Sequence, residues 1–251
     1  MRIERLRSIF MEDLSWTEIK NAIEIGYDTI LVGFGAMEQH GPHLPIQTDT
    51  FTARRLCELV ACSMENVLVS PEIPFGSSII HRFFPGTITI SEDVLFEFVK
   101  EYCQCLESHG FKKILLIPTH GGNFKTAERI TEYFSTSSNT IKSAFTGGEF
   151  ITFLRSLSQD VKISQRIAGT HSGEMETSIY AYLSQDLSVL NGAEEGFCGD
   201  YDSVRSEGLR LGMKYISPNG IIGDATQASY GNGKYYVNRI VEFMIEKTRG
   251  A

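Results

Sequence analysis

The sequence has no long hydrophobic run and no excess of basic residues, and both absences exclude classes of protein. No stretch of about 18 apolar residues, the length of a membrane-spanning helix, occurs in the chain. The first residues, Met1 to Leu6, lack the apolar core of a signal peptide. Lys and Arg number 23 against 31 Asp and Glu, which gives a net charge of −8. The sequence therefore predicts a cytoplasmic protein that binds neither nucleic acid nor a membrane surface.

Cysteine is also scarce, with five residues, an odd number, and none of the paired spacing of a zinc ribbon. Cys57 and Cys62 fall in one predicted helix, and Cys103 and Cys105 fall in another. We therefore interpret these four as small, buried apolar side chains. The sequence does not indicate a thiolate metal site.

Short apolar segments rich in β-forming residues alternate along the chain with amphipathic segments of helical period. This alternation predicts one domain over residues 1–251, with a mostly parallel sheet covered by helices on both faces. The predicted strands are 29–34, 67–69, 113–118 and about 141–145. The predicted helices are 11–25, 49–65, 91–109, 123–135, 149–157, one that residues 169–177 open, and 232–247, with a loop-rich region over 191–228.

Potential metal ligands occur in three of the segments that follow a predicted strand or open a predicted helix. In a parallel sheet such loops share one edge, where ligands bind. Imidazole and carboxylate together suit Zn²⁺, Mn²⁺ or Fe²⁺. The residues alone also permit structural roles, such as a helix N-cap or a first-turn carboxylate matched to the helix dipole. The candidates are Glu38, His40 and Asp49 in the first loop, His120 in the second, and His171, Glu174 and Glu176 in the third.

The second loop, His120-Gly121-Gly122-Asn123, permits a different interpretation. Glycines between a strand and a helix can leave backbone amides free to bind a phosphate. The chain contains neither GxGxxG nor GxxxxGK[ST], which makes phosphate binding the less favoured alternative.

The first loop, residues 38–45 with Thr48-Asp49-Thr50, resembles the signature of the creatinine amidohydrolase (creatininase) family. Further blocks in the order of that family extend the resemblance over residues 32–226. These blocks are Gly76-Ser77-Ser78 with His81 and Phe84-Pro85-Gly86-Thr87, then 120–123, 171–178 and 217–224.

The resemblance implies a three-layer α/β/α fold, often assembled as a homohexamer, with one or two divalent ions (Zn, Mn or Fe) per chain. It implies that Asp49 bridges the ions and that His171, or alternatively Glu174, transfers the proton. Substrate is then expected to contact Gly121, Gly122, Ser78 and His81. The implied metal ligands are Glu38, His40, Asp49, His120 and Glu176.

One motif departs from the family members that cleave creatinine, whose third block reads His-Tyr-Glu-Asn. Here Gly122 stands in place of that glutamate, and the single tryptophan, Trp16, lies far upstream. The chain thus resembles the branch that does not act on creatinine. We expect a hydrolase that cleaves an amide-type C–N bond of a small polar molecule, a cyclic amide or a formamide, with a metal-activated water. The alternatives are C–C ring opening of a cyclic polyol ketone and a metal-free protein that binds a small molecule or phosphate.

Overall fold

A four-stranded parallel sheet forms the centre of the computed structural model, which describes residues 6–250. The strands are β1 (Thr29–Phe34), β2 (Val67–Val69), β3 (Lys113–Pro118) and β4 (Ile141–Ser143). They lie in the order β2-β1-β3-β4, and each neighbouring pair is parallel. The predicted parallel sheet is confirmed.

Helices cover both faces of the sheet, because alternate residues of each strand point to opposite sides. Leu31 of β1 and Leu115 of β3 belong to one hydrophobic cluster, whereas Ile30 and Ile114 belong to the other. The helices are α1 (Trp16–Glu24), α2 (Thr48–Cys62), α3 (Glu92–Ser108), α4 (Phe124–Ser135), α5 (Gly147–Asp160), α6 (Gln165–Ala168), α7 (Glu174–Ser184), α8 (Tyr201–Leu211), α9 (Met213–Ile216) and α10 (Tyr230–Gly250). The first cluster includes residues of α2, α5, α7 and α10, and the second includes residues of α1, α3 and α4. The three-layer α/β/α architecture is confirmed.

The segment 191–228, predicted to be rich in loops, contains the helices α8 and α9. The glycines of this segment led the prediction away from a helix, but Gly208 lies inside α8 for a packing reason. A Cβ atom at Gly208 would lie 2.4 Å from Cδ1 of Ile216 and 3.1 Å from Cδ1 of Ile80. The glycine therefore lets α8 pack closely on α9 and on the loop that carries Ile80.

The cysteine interpretation is confirmed for two residues and wrong for two. Cys57 and Cys103 are buried in the two hydrophobic clusters, whereas Cys62 and Cys105 are exposed. The helical period explains the difference, since Cys62 is the last residue of α2 and Cys105 lies two residues after the buried Cys103.

The register of the sheet places the ends of its two central strands side by side. Phe34, the last residue of β1, pairs with Pro118, the last residue of β3. Because both strands end at the same edge, the loops after them start next to each other. The candidate ligands Glu38, His40 and His120 follow these strand ends within a few residues.

No helix within residues 6–250 is both long enough and apolar enough to cross a membrane.

Candidate metal centre

The carboxylate of Asp49 lies between two histidines and faces each of them with a different oxygen. Its Oδ1 lies 3.4 Å from Nε2 of His40, and its Oδ2 lies 3.3 Å from Nδ1 of His120. The helix α2 begins at Thr48, with Gln47 as N-cap and without a capping side chain. The first turn of α2 therefore positions the Asp49 carboxylate between the histidines, and the alternative interpretation of Asp49 as an N-cap is wrong.

A glutamate completes each half of this arrangement. Glu38 Oε1 lies 3.3 Å from Nδ1 of His120, and Glu176 Oε2 lies 3.9 Å from Nε2 of His40. In each half, one atom from each of the three residues lies within 4.8 Å of the others, a spacing at which they could hold a metal ion. The structure thus brings together all five residues predicted as ligands. They form two groups that share one residue, Asp49.

Hydrogen bonds turn the two imidazole rings so that their lone pairs face the carboxylates. His40 donates through Nδ1 to the backbone carbonyl of Glu38 at 3.1 Å. His120 donates through Nε2 to the backbone carbonyl of Ser77 at 3.2 Å. The remaining ring nitrogens, Nε2 of His40 and Nδ1 of His120, are then available as ligands, which is how metal-binding histidines are usually oriented.

The buried carboxylates of this cluster require a positive charge. Within residues 6–250, Glu38 Oε2, Asp49 Oδ2 and His40 Nε2 are buried polar atoms without a hydrogen-bond partner. Burial lowers the pKa of His40, but the carboxylates of Asp49, Glu176 and Glu38 together outweigh burial and raise that pKa to about 10. Burial likewise opposes protonation of His120, yet Glu38 and Asp49 raise its pKa. A divalent ion would satisfy these unpartnered atoms, so the residues present fit a metal.

A tight turn before α7 positions the ligands of the third loop. Gly169 has φ +74°, and a Cβ atom there would lie only 1.8 Å from the carbonyl oxygen of Ile222. His171 and Ile222 form an isolated antiparallel β-bridge, in which the carbonyl of His171 accepts the N–H of Ile222 at 2.8 Å. The N–H of Ser172 donates to Oε2 of Glu176, which holds this carboxylate at the start of α7. The backbone of the third loop thereby fixes both His171 and Glu176.

The two glycines after His120 have different surroundings. A Cβ atom at Gly122 would lie 2.1 Å from the carbonyl oxygen of Ser77 and 2.5 Å from Nε2 of His120. At Gly121 nothing lies within 4 Å of the corresponding position. Gly122 is thus needed for close packing of the loop against His120, and Gly121 adjoins open space. The turn Gly121–Asn123 is a single 3₁₀ turn.

This contrast predicts that alanine substitutions at the two glycines differ in their effect on the free energy of unfolding. Gly122→Ala forces a Cβ atom into the Ser77 carbonyl and should destabilise the fold by about 1–3 kcal/mol, the usual cost of overpacking. Gly121→Ala adds the same methyl group in open space and should leave the free energy of unfolding nearly unchanged. Urea unfolding of both variants measures the difference. Equal stability of the two would contradict the packing role of Gly122.

Three further histidine or serine side chains border the cluster. His81 Nε2 lies 3.5 Å from Glu38 Oε1, and its ring contacts that of His171 at a tilt of 34°, with centroids 4.3 Å apart. The Oγ of Ser78 lies 3.5 Å from Nε2 of His120. Burial lowers the pKa of His81 to about 3 and also lowers that of His171. Both rings are therefore neutral at pH 7. The expected contacts of Ser78 and His81 with substrate remain predictions.

The structure does not bring Glu174 to this cluster. Its Oε1 accepts hydrogen bonds from Ser178 at 3.0 Å and Asn232 at 2.7 Å, and its Oε2 accepts one from Tyr236 at 2.9 Å. Glu174 is fully buried between α7 and α10. Glu174 and Glu176 are two positions apart in α7, which is about 200° around the helix axis, so the Glu174 carboxylate faces α10 while that of Glu176 faces His40. The geometry therefore gives no support to Glu174 as a proton donor and indicates a structural role.

A substitution at Glu174 should consequently affect stability and leave the metal content intact. Glu174→Gln turns an amide N–H₂ toward hydrogen-bond donors of α10, so we expect a lower melting temperature with unchanged metal per chain. Tyr236→Phe, which removes one donor to the same carboxylate, should cause a smaller loss of the same kind. Loss of metal from Glu174→Gln at an unchanged melting temperature would restore Glu174 to the site.

Gln39 is a site residue that the sequence reasoning did not single out. It is 5% exposed, and its side chain contacts His81, His171 and Gly220. Its position between Glu38 and His40 was the one available signal. The expectation that alternate residues of an extended segment point the same way led attention to its two neighbours instead. His43, by contrast, contacts Thr177 of α7 at 2.8 Å and acts as a brace.

The structure combines a parallel sheet between two helical layers with a cluster of two histidines and three carboxylates. Both features can be compared with those of known protein families. A family model described as "Creatininase: Creatinine amidohydrolase" matches residues 12–248. The match covers nearly the whole chain. The chain belongs to the creatininase family and is a hydrolase.

Named relatives differ in what they act on. The chain is 30% identical over 216 residues to the mycofactocin precursor peptide peptidase of Mycolicibacterium smegmatis. The aligned segment covers 82% of this chain and 78% of the relative. The chain is also 27% identical over 122 residues to the creatinine amidohydrolase of Pseudomonas putida. This aligned segment covers 47% of this chain and 46% of that protein.

Solved structures agree with the fold. A mutant creatininase superimposes with a TM-score of 0.79 at 21% identity, over 97% of this chain and 98% of that one. Other similar structures are described as "Creatininase Mn", with a TM-score of 0.75, and as a mutant creatininase of "Zn-Zn type".

Proposed function

We propose that this protein hydrolyses an amide-type C–N bond of a small polar molecule at a site for two divalent ions. The observation that carries the proposal is the placement of Asp49. Its two oxygens face two separate ligand groups, Glu38 with His120 and His40 with Glu176. A carboxylate shared in this way is typical of hydrolases with two metal ions.

Two of the relatives support the same bond type. Creatinine amidohydrolase and a precursor peptide peptidase are both named for cleaving a C–N bond of an amide or related group. The peptidase of M. smegmatis matches a larger share of this chain than the creatinine enzyme does. A peptide bond therefore belongs among the candidate substrates, beside the cyclic amide and formamide expected from the sequence. The metals described for similar structures, Mn and Zn, suit this set of nitrogen and oxygen ligands.

The proposed reaction needs a metal-bound water, a group that transfers a proton and room for the substrate. A bound divalent ion would supply a water of lowered pKa and polarise the carbonyl oxygen of the substrate. His171 donates Nε2–H to the backbone carbonyl of Gln39 at 2.7 Å, so its Nδ1 faces Glu38 at 3.6 Å with a free lone pair. Nδ1 can accept a proton from the attacking water and pass it to the departing nitrogen. The open space beside Gly121 leaves room for the substrate.

The metal part of the proposal is tested by the metal content of purified variants, measured by plasma mass spectrometry. Wild-type protein should hold about one to two ions per chain, and Asp49→Ala should lose all of them because Asp49 serves both groups. Glu176→Ala should lose only the ion shared with His40. His109→Ala, at an exposed histidine that ends α3, is the matched control and should keep its metal. Full metal content in Asp49→Ala would overturn the proposed centre.

The activity part is tested with a panel of compounds: cyclic amides, formamides, short peptides and a cyclic polyol ketone. Release of amine or formate by wild-type protein, absent in Asp49→Ala, is the expected result. Ring opening of the ketone without release of amine would replace C–N cleavage by C–C cleavage. A protein that binds inorganic phosphate, holds no metal and turns over no compound of the panel would be a binding protein, and the hydrolase proposal would fail.

A further inference from the structure

The side-chain amide of Gln39 lies at the centre of a buried hydrogen-bond network next to the proposed metal centre. Its Nε2 lies 2.8 Å from Nδ1 of His81, 2.9 Å from Nε2 of His171 and 3.1 Å from the carbonyl oxygen of Gly220. Its Oε1 accepts the backbone N–H of Gly41 at 2.9 Å. These partners fix which end of the amide is nitrogen. In the reverse orientation oxygen would face the Gly220 carbonyl, and nitrogen would face the Gly41 N–H.

The backbone carbonyls of Gln39 and Gly220 fix the placement of protons in this network, and they leave Nε2 of His171 and Nε2 of Gln39 in contact without a hydrogen bond between them. Nε2 of His171 lies 2.7 Å from the backbone carbonyl of Gln39, so this nitrogen must carry a proton. The two amide protons of Gln39 then go to Gly220 and to Nδ1 of His81. A ring nitrogen that accepts a hydrogen bond carries no proton, so the proton of His81 resides on Nε2.

In this arrangement the ring nitrogens around Glu38 differ in whether they carry a proton. Three ring nitrogens approach Glu38 Oε1: His81 Nε2 at 3.5 Å, His171 Nδ1 at 3.6 Å and His120 Nδ1 at 3.3 Å. The network gives His81 an N–H there and His171 a lone pair, and Nδ1 of His120 offers its lone pair once a metal is bound. His81, at 3.5 Å, is therefore the ring placed to donate to Glu38, while Nδ1 of His171 remains free for proton transfer.

We propose that Gln39 is a positioning residue that holds the proton of His81 on Nε2, so that His81 donates to the carboxylate of Glu38. The carbonyl of Gln39 holds His171 in the opposite sense, with Nδ1 free. Gln39 thus acts on Glu38 through His81, and its side chain contacts no atom proposed as a metal ligand. The effect on the reaction rests on the proposed function, but the protonation pattern itself does not.

The first test uses metal-free wild-type protein labelled with ¹⁵N-histidine. Long-range ¹H–¹⁵N spectra distinguish an Nε2–H ring from an Nδ1–H ring, and the signal missing from His81→Gln identifies His81. The proposal requires the Nε2–H form for His81. An Nδ1–H form, or a doubly protonated ring, would overturn it, whether or not the protein proves to be a hydrolase.

The second test replaces the amide donor of Gln39 by a carboxylate oxygen, which removes its hydrogen bonds to His81 and to Gly220. Gln39→Glu keeps the acceptor for Gly41 but presents an oxygen to Nδ1 of His81, which must then take the proton. We expect the His81 signal to change to the Nδ1–H form and the Kd for Mn²⁺ or Zn²⁺ to rise by about 10–100-fold, the usual effect of a residue that orients a ligand. Gln165→Glu, at an exposed glutamine, makes the same chemical change and should leave the Kd unchanged.

A double-mutant cycle separates positioning from a general loss of packing. If Gln39 acts through His81, Gln39→Glu should raise the Kd much less in the His81→Gln background than in wild type. Equal rises in both backgrounds would show that Gln39 stabilises the loop without setting His81, and the proposal would fail. Should Gln39→Glu not fold, the wild-type spectrum decides alone.

Discussion

The buried carboxylates of Glu38 and Asp49 need a positive charge, and much of the structure around them follows from that need. Both side chains lie almost completely out of water, where an unpaired carboxylate is costly. Without a metal, protons on His40 and His120 can supply the charge, since the carboxylates raise the pKa of both rings. A divalent ion would supply it more fully, because it would also engage oxygens and nitrogens that have no other partner. Metal binding at the proposed centre would then release the protons of His40 and His120.

Such a cluster tolerates little movement, and the scaffold supplies the necessary rigidity. The ends of β1 and β3 are paired in register, which fixes the starting points of two loops that carry ligands. Asn123 links these loops further, since it donates to the carbonyl of Gly35 at 2.8 Å and accepts the N–H of Ser77 at 3.2 Å. Glu174 ties α7 to α10 on the side away from the cluster, which holds the first turn of α7 and hence Glu176. Stability and ligand geometry are therefore coupled.

The sequence predicted the fold and the grouping of the ligands because both follow from simple geometry. Loops after parallel strands share an edge, so Glu38, Asp49 and His120 could be placed together before any coordinates existed. The direction of single side chains within a helix turn was not accessible in this way. Glu174 and Glu176 both looked like first-turn carboxylates, yet one faces α10 and the other faces His40. Gln39 escaped notice because its role depends on residues distant in sequence, His81 and His171.

The position of the Ser77 carbonyl explains why residue 122 is a glycine. The carbonyl of Ser77 occupies the space that a side chain at 122 would fill, and that carbonyl also accepts the proton of His120. A glutamate could enter this position only if the loop carrying Ser77 withdrew, and His120 would then lose its hydrogen-bond acceptor. The departure from the His-Tyr-Glu-Asn motif is thus tied to how His120 is oriented. The carboxylate that such a glutamate would bring near the centre is instead provided by Glu176, from the opposite side of Asp49.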